Sequence, residues 1–522
     1  VAAEAPKLTT WQSLRAVTGS WRLACVALLS FSSGLPLGLV WIAIPTWLTR
    51  AGVDIKVVGL LTLAQAPWSF KPLWSPLMDR YPPPLLGRKR GWMLVGHLLL
   101  TALGLWLAGV SDRPEAVLVI GALTLAIALA SATNDIAYDA YTVEVLRREE
   151  YGTAVGARVA LYRGAMIVSG GVSITMAAET SWAYVNMLLA LAYIPFMLVV
   201  WFAPEPEGVP QPPKTLREAV WGPFVGFLAQ HRALEILAFV VLYKLSDNLT
   251  QALTRPFLVQ VGFNDFDVGV ATATIGQAAA VGGTFLGGVL TQGLGLGRAL
   301  WVFGFFQIVS NLGYAAVAQV GVNRPLMYAA QAFELGSSGL GSGAFGVLLL
   351  RLTQKRFSAT QFALLSSLFT LPRVLAGPPA GILADTLGWR DFFVLTVLTG
   401  VPGMLMLARF VPWSVREPEF HVAAPTVGAP LSRRDLALRA LAGAALCGAV
   451  GLLTVACLEG MKDYRAGKPF DLDGQLGALL APEGTVQWIT AAGVWFMAAA
   501  AGLITAATLA ARRGMARTLT GE

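Results

Sequence analysis

The sequence predicts an all-α membrane protein: two halves of six spanning helices each, followed by two further spans. Three observations carry this. Hydrophobic residues make up 56% of the 522 and charged residues only 13%, whereas a soluble domain carries about 25% charged residues. A window of about 20 residues finds about fourteen apolar runs long enough to cross a bilayer. The basic residues collect in alternate loops, as in a chain threaded back and forth through a membrane.

The first six spans are expected at about 22–48, 55–78, 91–110, 114–138, 154–178 and 182–203. Six more are expected at about 233–259, 267–291, 298–320, 325–350, 359–386 and 389–411, and the extra pair at about 435–458 and 486–511. The first run is too long for a signal-peptide core and lacks a cleavage site, so it is expected to remain a helix. Even-numbered loops hold Arg88, Lys89 and Arg90, then Arg147 and Arg148, then Lys214 and Arg217. Arg298, the pair Lys355 and Arg356, and the pair Arg433 and Arg434 continue the series, and Arg512, Arg513 and Arg517 form the tail. The positive-inside rule then places both termini in the cytoplasm.

The halves are 1–203 and 233–411. Between them, 204–232 opens with a Pro-rich stretch from Pro204 to Pro213. Thr215 and Glu218 follow as a capping box that starts an amphipathic, surface-lying helix. A cytoplasmic linker at 412–434 leads to the extra spans at 435–511, which hold the one sizeable outer loop and offer a possible surface for a membrane partner. The segment 512–522 is a cytoplasmic tail.

The net charge of +8 lies in short loops rather than in one patch, so no nucleic-acid partner is expected. Cys25, Cys447 and Cys457 fall inside apolar runs and suggest neither a disulfide framework nor a metal site. GSGAFG at Gly341 to Gly346 spells a dinucleotide fingerprint but follows no strand, and helix packing explains it. His97 reads as a satisfied core position. No catalytic constellation or cofactor motif is visible, so an enzyme is not expected.

What remains is charge inside the spans: Lys71, Asp135, Asp139, Arg158, Arg163, Lys244, Asp247, Glu334 and Arg373. Each costs about 2.5–3.5 kcal/mol if it faces lipid, so each should face a watered cavity or a partner. Lys71 and Arg158 lie near cytoplasmic ends, where snorkelling is an alternative. Asp135 and Asp139 are four apart on one helical face. Asp135 can pair with Arg163 to fix helix packing or can face the cavity, and Asp139 and Glu144 can pair with Arg147 or Arg148. Lys244 and Asp247, three apart, can pair on their own helix. Glu334 precedes the run LGSSGLGSGAFG, and Arg373 sits in TLPRVLAGPPAG. Such Gly- and Pro-interrupted helices are expected where a substrate binds at the midplane. A cavity of both signs suits an ionic or sugar-peptide solute, with Trp41, Trp47, Trp68 and Tyr138 available to stack on sugar rings, and a carboxylate there can also take up a proton.

The loop after span two, WSPLMDRYPPPLLGRKRG, resembles the loop signature of the major facilitator superfamily, and a weaker echo, GGVLTQGLGLGRAL, follows span eight. Asp79 and the basic cluster can latch the cytoplasmic side in one state and release it in another, although orientation alone would explain Arg88 to Arg90.

More stretches resemble one family, the AmpG muropeptide permeases of Gram-negative inner membranes. They are FSSGLPLGL (31–39), FKPLWSPLMDRYPPPLLGRKRGW (70–92), SATNDIAYDA with VEVLRREEYGTA, YRGAMIVSGG (162–171) and APEPEGVPQPPKTLREAV (203–220). VLYKLSDNL (241–249), KRFSATQFALLSSL (355–368) and RVLAGPPAG (373–381) complete the series. The family motif reads like SQDIVFDAWKTD where this chain has TNDIAYDAYTVE, with Asn134, Tyr141, Thr142 and Val143 departing from it.

The resemblance implies the major facilitator fold and a proton-driven importer of anhydro-muropeptides for peptidoglycan recycling, linked to β-lactamase induction in species that have that circuit. It implies no cofactor beyond the proton gradient. The expected substrate and proton cavity comprises Asp135, Arg163, Lys244, Asp247, Glu334 and Arg373. The expected cytoplasmic gate comprises Lys71, Asp79, Arg80, Arg88, Lys89, Arg90, Asp139 and Glu144. Another anionic cargo such as acetyl-CoA, and a non-transporting scaffold or sensor on the same fold, stand as alternatives.

Overall fold

A computed structural model describes residues 20–53, 64–113, 116–206, 208, 211–420, 431–465, 467 and 469–513. The side chains at 370–375, 377–379, 382, 458, 461–462, 464–465, 485–486 and 489 lie outside the description, and the expected cavity residue Arg373 is among them.

In chain order the helices of the first half are α1 (Trp21–Arg50), α2 (Ser75–Arg80), α3 (Arg88–Val110), α4 (Val117–Val145), α5 (Arg148–Glu179) and α6 (Trp182–Phe202). After α7 (Leu216–Leu228) come α8 (Ala233–Leu242), α9 (Leu245–Val261), α10 (Asp265–Leu294), α11 (Leu296–Val320) and α12 (Arg324–Leu352). The chain continues with α13 (Ser358–Leu375), α14 (Gly377–Leu387), α15 (Trp389–Phe410), α16 (Arg433–Arg465), α17 (Leu472–Leu480) and α18 (Thr485–Arg512).

Among the described residues 11 helices are long and apolar enough to cross a membrane, not the fourteen expected. The three shortfalls have physical causes. Span two lies partly outside the described residues, and the rest is cut by Pro67, Pro72 and Pro76 into two short helices and a 3₁₀ turn at Lys71–Leu73, because proline removes a backbone donor. Span seven breaks between α8 and α9 at Tyr243 and Lys244, where the Asn248 amide donates to the Lys244 carbonyl at 2.7 Å. Span eleven breaks at Ala376, ahead of Gly377, Pro378 and Pro379.

Each half has its own apolar core. In the first, Leu35, Val40, Trp47, Leu100 and Ile127 pack together, and in the second Phe257, Tyr314, Phe392 and Phe393 do so. Helices α1, α5 and α10 each contain a π-helical stretch, at Leu39–Ala43, Ile167–Val172 and Val270–Ile275. Such stretches recur at functional sites, and the first two face each other where Gly38 lies against Ser169 and Gly170 against Ile42.

Small residues set the helix contacts, as in other membrane bundles. Gly283 lies against the Gly336 backbone and Gly287 against that of Leu340, so α10 and α12 touch almost main chain to main chain. Gly343 and Gly346 in the GSGAFG stretch pack on α10 and on Val155, which is the expected packing role. His97 is buried, with Met93 O at 2.7 Å and Ser32 Oγ at 2.9 Å.

The two halves also meet through glycine. Gly152 on α5 and Gly288 on α10 each face the other's carbonyl, with no room for a Cβ. Gly288→Leu should therefore wedge the halves apart at this end, while Gly293→Leu, where a side chain meets open space, should not. Solvent labelling of a cysteine at Val155, buried at this contact, checks this in a background lacking the native cysteines; rapid labelling is expected only for the first variant.

The chain divides into two compact units: residues 1–219 with 234–420, and 220–233 with 421–522. Within the second unit α16 and α18 pack through small residues, Gly443 against Thr505, Gly451 against Val494 and Gly502 against Ala440.

Candidate functional site

Polar side chains gather at three places in the larger unit. The first is the end of the bundle that carries Arg88, Lys89, Arg147 and Lys355, called here the basic end. At the close of α2, Asp79 is fully buried. Its carboxylate accepts from Lys89 Nζ at 2.7 Å, and from Thr360 N at 2.9 Å, Thr360 Oγ1 at 2.8 Å and Ala359 N at 3.2 Å. The N–H groups are those of the first turn of α13, which have no partner within their own helix. Asp79 thus caps a helix of the opposite half.

Beside it, the Glu144 carboxylate accepts from Arg88 Nη2 at 2.7 Å and Ser358 Oγ at 2.5 Å, with Lys89 Nζ at 3.9 Å. Gln292 bridges the halves again, donating to Glu149 O at 2.5 Å and accepting from Thr153 Oγ1 at 2.9 Å. Of the expected gate, Asp79, Arg88, Lys89 and Glu144 therefore form one network. Arg90 instead donates to the Val200 and Trp201 carbonyls at 3.2 and 2.6 Å, closing the end of α6, and Arg80 lies over the Tyr81 ring at 5.2 Å.

Asp79→Asn would keep the shape but leave Lys89, whose side chain is 2% exposed, with only the Glu144 carboxylate at 3.9 Å as a charged partner. Breaking a buried pair from one side costs about 3–5 kcal/mol. The expected outcome is a lowered melting temperature together with faster labelling of a cysteine at Val155, and Asp79→Glu should recover part of both.

The second cluster lies deeper in the first half. Lys71, on its 3₁₀ turn, donates to Asp135 Oδ2 at 3.0 Å and lies 3.9 Å from Asp139 Oδ2. Ser33 donates to the other Asp135 oxygen, and Arg158 pairs with Asp139 while its guanidinium lies over the Tyr138 ring at 5.0 Å. Two carboxylates one helical turn apart on α4 thus share one ammonium, and a guanidinium closes the row. Lys71 and Asp139 thus lie with Asp135, apart from the network around Asp79. Two expected pairings are corrected. Asp139 pairs with Arg158, not with Arg147 or Arg148. Asp135 does not pair with Arg163, whose Nη1 is 3.5 Å from Gln277 Oε1 across the seam; the 3₁₀ turn brings Lys71 to Asp135 first.

The third cluster is its counterpart in the second half. Lys244 Nζ, at the break between α8 and α9, donates to Asp247 Oδ2 at 2.9 Å, Ser338 O at 2.8 Å and Gln307. Gln251 links this group to Glu334, donating to Glu334 Oε1 at 3.1 Å and lying 3.3 Å from Ser338 Oγ. The other Glu334 oxygen is buried with no hydrogen-bond partner among the described residues. An acceptor left bare inside a protein is costly, so it marks a place where a proton or a ligand donor would be held.

Of the aromatic candidates, Trp47 stacks on Trp182 in the core and Tyr138 donates to Val26 O at 2.9 Å. Trp41 and Trp68 meet edge to face at 5.9 Å, and the indole N–H of each is buried without a partner among the described residues. Sequence reasoning missed Ser33, Gln251, Gln307 and Ser338. A glutamine inside an apolar run was the one readable signal among them.

The model of the Major Facilitator Superfamily matches residues 26–360. The anhydromuropeptide permease of Escherichia coli strain K12 is 41% identical over 392 residues, covering 74% of this chain and 79% of that one. The chain belongs to the AmpG branch of the major facilitator superfamily. A Rickettsia felis protein described as putative transporter AmpG 4 is 26% identical over 398 residues, covering 74% of this chain and 96% of its own. Among solved structures, the proton:xylose symporter XylE bound to 6-bromo-6-deoxy-D-glucose superposes with a TM-score of 0.56 at 11% identity, covering 76% and 97% of the two chains. A bacterial homologue of the iron transporter ferroportin, in its outward-facing state, gives 0.55 at 11% identity, covering 75% and 99%. At these identities the two structures speak for the fold alone. As an AmpG-family member this chain is a multi-pass membrane transporter and not an enzyme.

Proposed function

We propose that this transporter carries anhydro-muropeptides, N-acetylglucosaminyl-anhydro-N-acetylmuramic acid with or without its peptide, from periplasm to cytoplasm across a bacterial inner membrane, driven by the proton gradient. The observation that carries the reading is the 41% identity, over most of both chains, to a protein named for that cargo. The geometry supports it. A solute with sugar hydroxyls, amides and carboxylates suits two clusters, one in each half, that each offer both signs of charge, and the Trp41–Trp68 corner offers ring faces together with bare N–H donors.

In this reading the basic end is cytoplasmic, as the loop charges favour, and both termini lie on that side. The Asp79–Lys89–Arg88–Glu144 network is the closed cytoplasmic gate. Lys71 with Asp135 and Asp139, and Lys244 with Asp247, contact the solute, with Arg163 adding positive charge. Glu334 takes the proton, since protonation would remove the charge from its bare, buried oxygen.

The test is uptake of radiolabelled anhydro-disaccharide, with and without its tripeptide, into proteoliposomes under an imposed inward proton gradient. Accumulation that collapses on adding an uncoupler is expected. Acetyl-CoA uptake without muropeptide uptake would overturn the cargo, and uptake indifferent to the uncoupler would overturn the coupling.

A further inference from the structure

Beside the gate, at the basic end, lies a cleft of about 410 Å³ that the transport reading does not use. Arg22, Arg147 and Arg148 line it from the first half, and Arg351 and Lys355 from the second. Glu144 and Glu149 are the acidic residues on its wall, and Glu144 is already bonded to Arg88 and Ser358. Arg351 pairs with Glu417. Among the described residues the side chains of Arg147, Arg148 and Lys355 have no carboxylate within ion-pair distance, and Arg147 and Arg148 are exposed. A recess many times the volume of a phosphate group therefore carries an excess of positive charge, with guanidinium groups that suit phosphate oxygens.

We propose that this cleft binds a phosphate-bearing anion, and that the bound anion holds the basic end closed. The second clause follows from where the cations sit. The cleft straddles the seam that Asp79, Glu144 and Gln292 tie together. Parting the halves there separates Arg148 from Lys355 and takes the site apart. A ligand that binds one conformation and not the other shifts the balance toward the first by its differential affinity. The phosphate has two possible sources, since basic pockets at membrane level bind anionic headgroups and a soluble phosphate can reach the same groups from the aqueous side.

The test uses the full chain in nanodiscs and hydrogen–deuterium exchange at residues 146–153 and 350–357, which border the seam. Three conditions are compared: phosphatidylcholine alone, phosphatidylcholine with phosphatidylglycerol, and phosphatidylcholine with added inorganic phosphate. Slower exchange on both segments is expected with phosphatidylglycerol or with phosphate, and which of the two acts identifies the source. The double variant Arg148→Gln with Lys355→Gln should lose the protection, while Arg298→Gln, an exposed cation at the same end outside the cleft, should keep it. The gate bonds use the Lys355 carbonyl and not its ammonium, so the double variant keeps them, and its exchange elsewhere in the bundle reports that it is folded. Absence of protection in the unmodified protein under both anionic conditions, or equal protection in the double variant, would overturn the proposal.

Discussion

Lys71→Ala is expected to abolish uptake and to lower the yield of folded protein. The ammonium it removes serves Asp135 at 3.0 Å and approaches Asp139 at 3.9 Å, and the two carboxylate side chains are each only 6% exposed. Asp139 keeps Arg158, but Asp135 is left with Ser33 alone. Removing one partner of a buried pair costs about 3–5 kcal/mol, much of it the penalty of the charge left behind. The double variant Lys71→Ala with Asp135→Asn removes both charges, so its melting temperature should return most of the way to that of the unmodified protein. Uptake should not return, because a site that grips solute through both signs has lost both. Recovery of uptake in the double variant would reduce the pair to packing and remove it from the solute path.

Glu334→Gln should separate movement of the solute from movement of the proton. The amide keeps the shape and can still engage Gln251, while it is permanently neutral and cannot take up or release a proton. Accumulation under an imposed proton gradient is expected to fall to the level of protein-free vesicles. Exchange of labelled for unlabelled solute across vesicles without a gradient should continue, because that exchange needs the gate and the solute contacts but no net proton transfer. If both rates fell together, Glu334 would be a solute contact. If neither fell, the coupling carboxylate would have to be sought at Asp135 or Asp247.

Most of the fold was legible because a bilayer imposes its own grammar. Spans must be long and apolar, and the basic loops mark one side. The Gly- and Pro-interrupted run TLPRVLAGPPAG marked the break in span eleven, while the breaks in spans two and seven were not foreseen. The ionisable residues within the spans were also visible, since each is costly against lipid. Their partners were not. Whether Asp135 meets Lys71 or Arg163 depends on how α4 is rotated and on a 3₁₀ turn that no periodicity reveals. Asp79 pairs with the nearby Lys89, as the basic cluster suggested, but its backbone donors lie some 280 residues away, and no local pattern encodes that meeting. Ser33 and Ser338 sit among small residues and look like packing. Lys244 and Asp247 could be paired from sequence because both lie within one helical turn, where geometry is fixed by the backbone itself.

The cap that Asp79 places on α13 ties the motion of the transporter to the wetting of two amides. While the halves touch, the N–H groups of Ala359 and Thr360 are sealed from solvent by a carboxylate from the other side. When they part, that carboxylate leaves and water must take its place, or the first turn of the helix unravels. Opening this end is therefore a hydration event as well as a rigid-body swing, and its equilibrium depends on how readily water enters the seam. Solutes excluded from protein surfaces favour the drier arrangement, so osmotic strength acts directly on this joint.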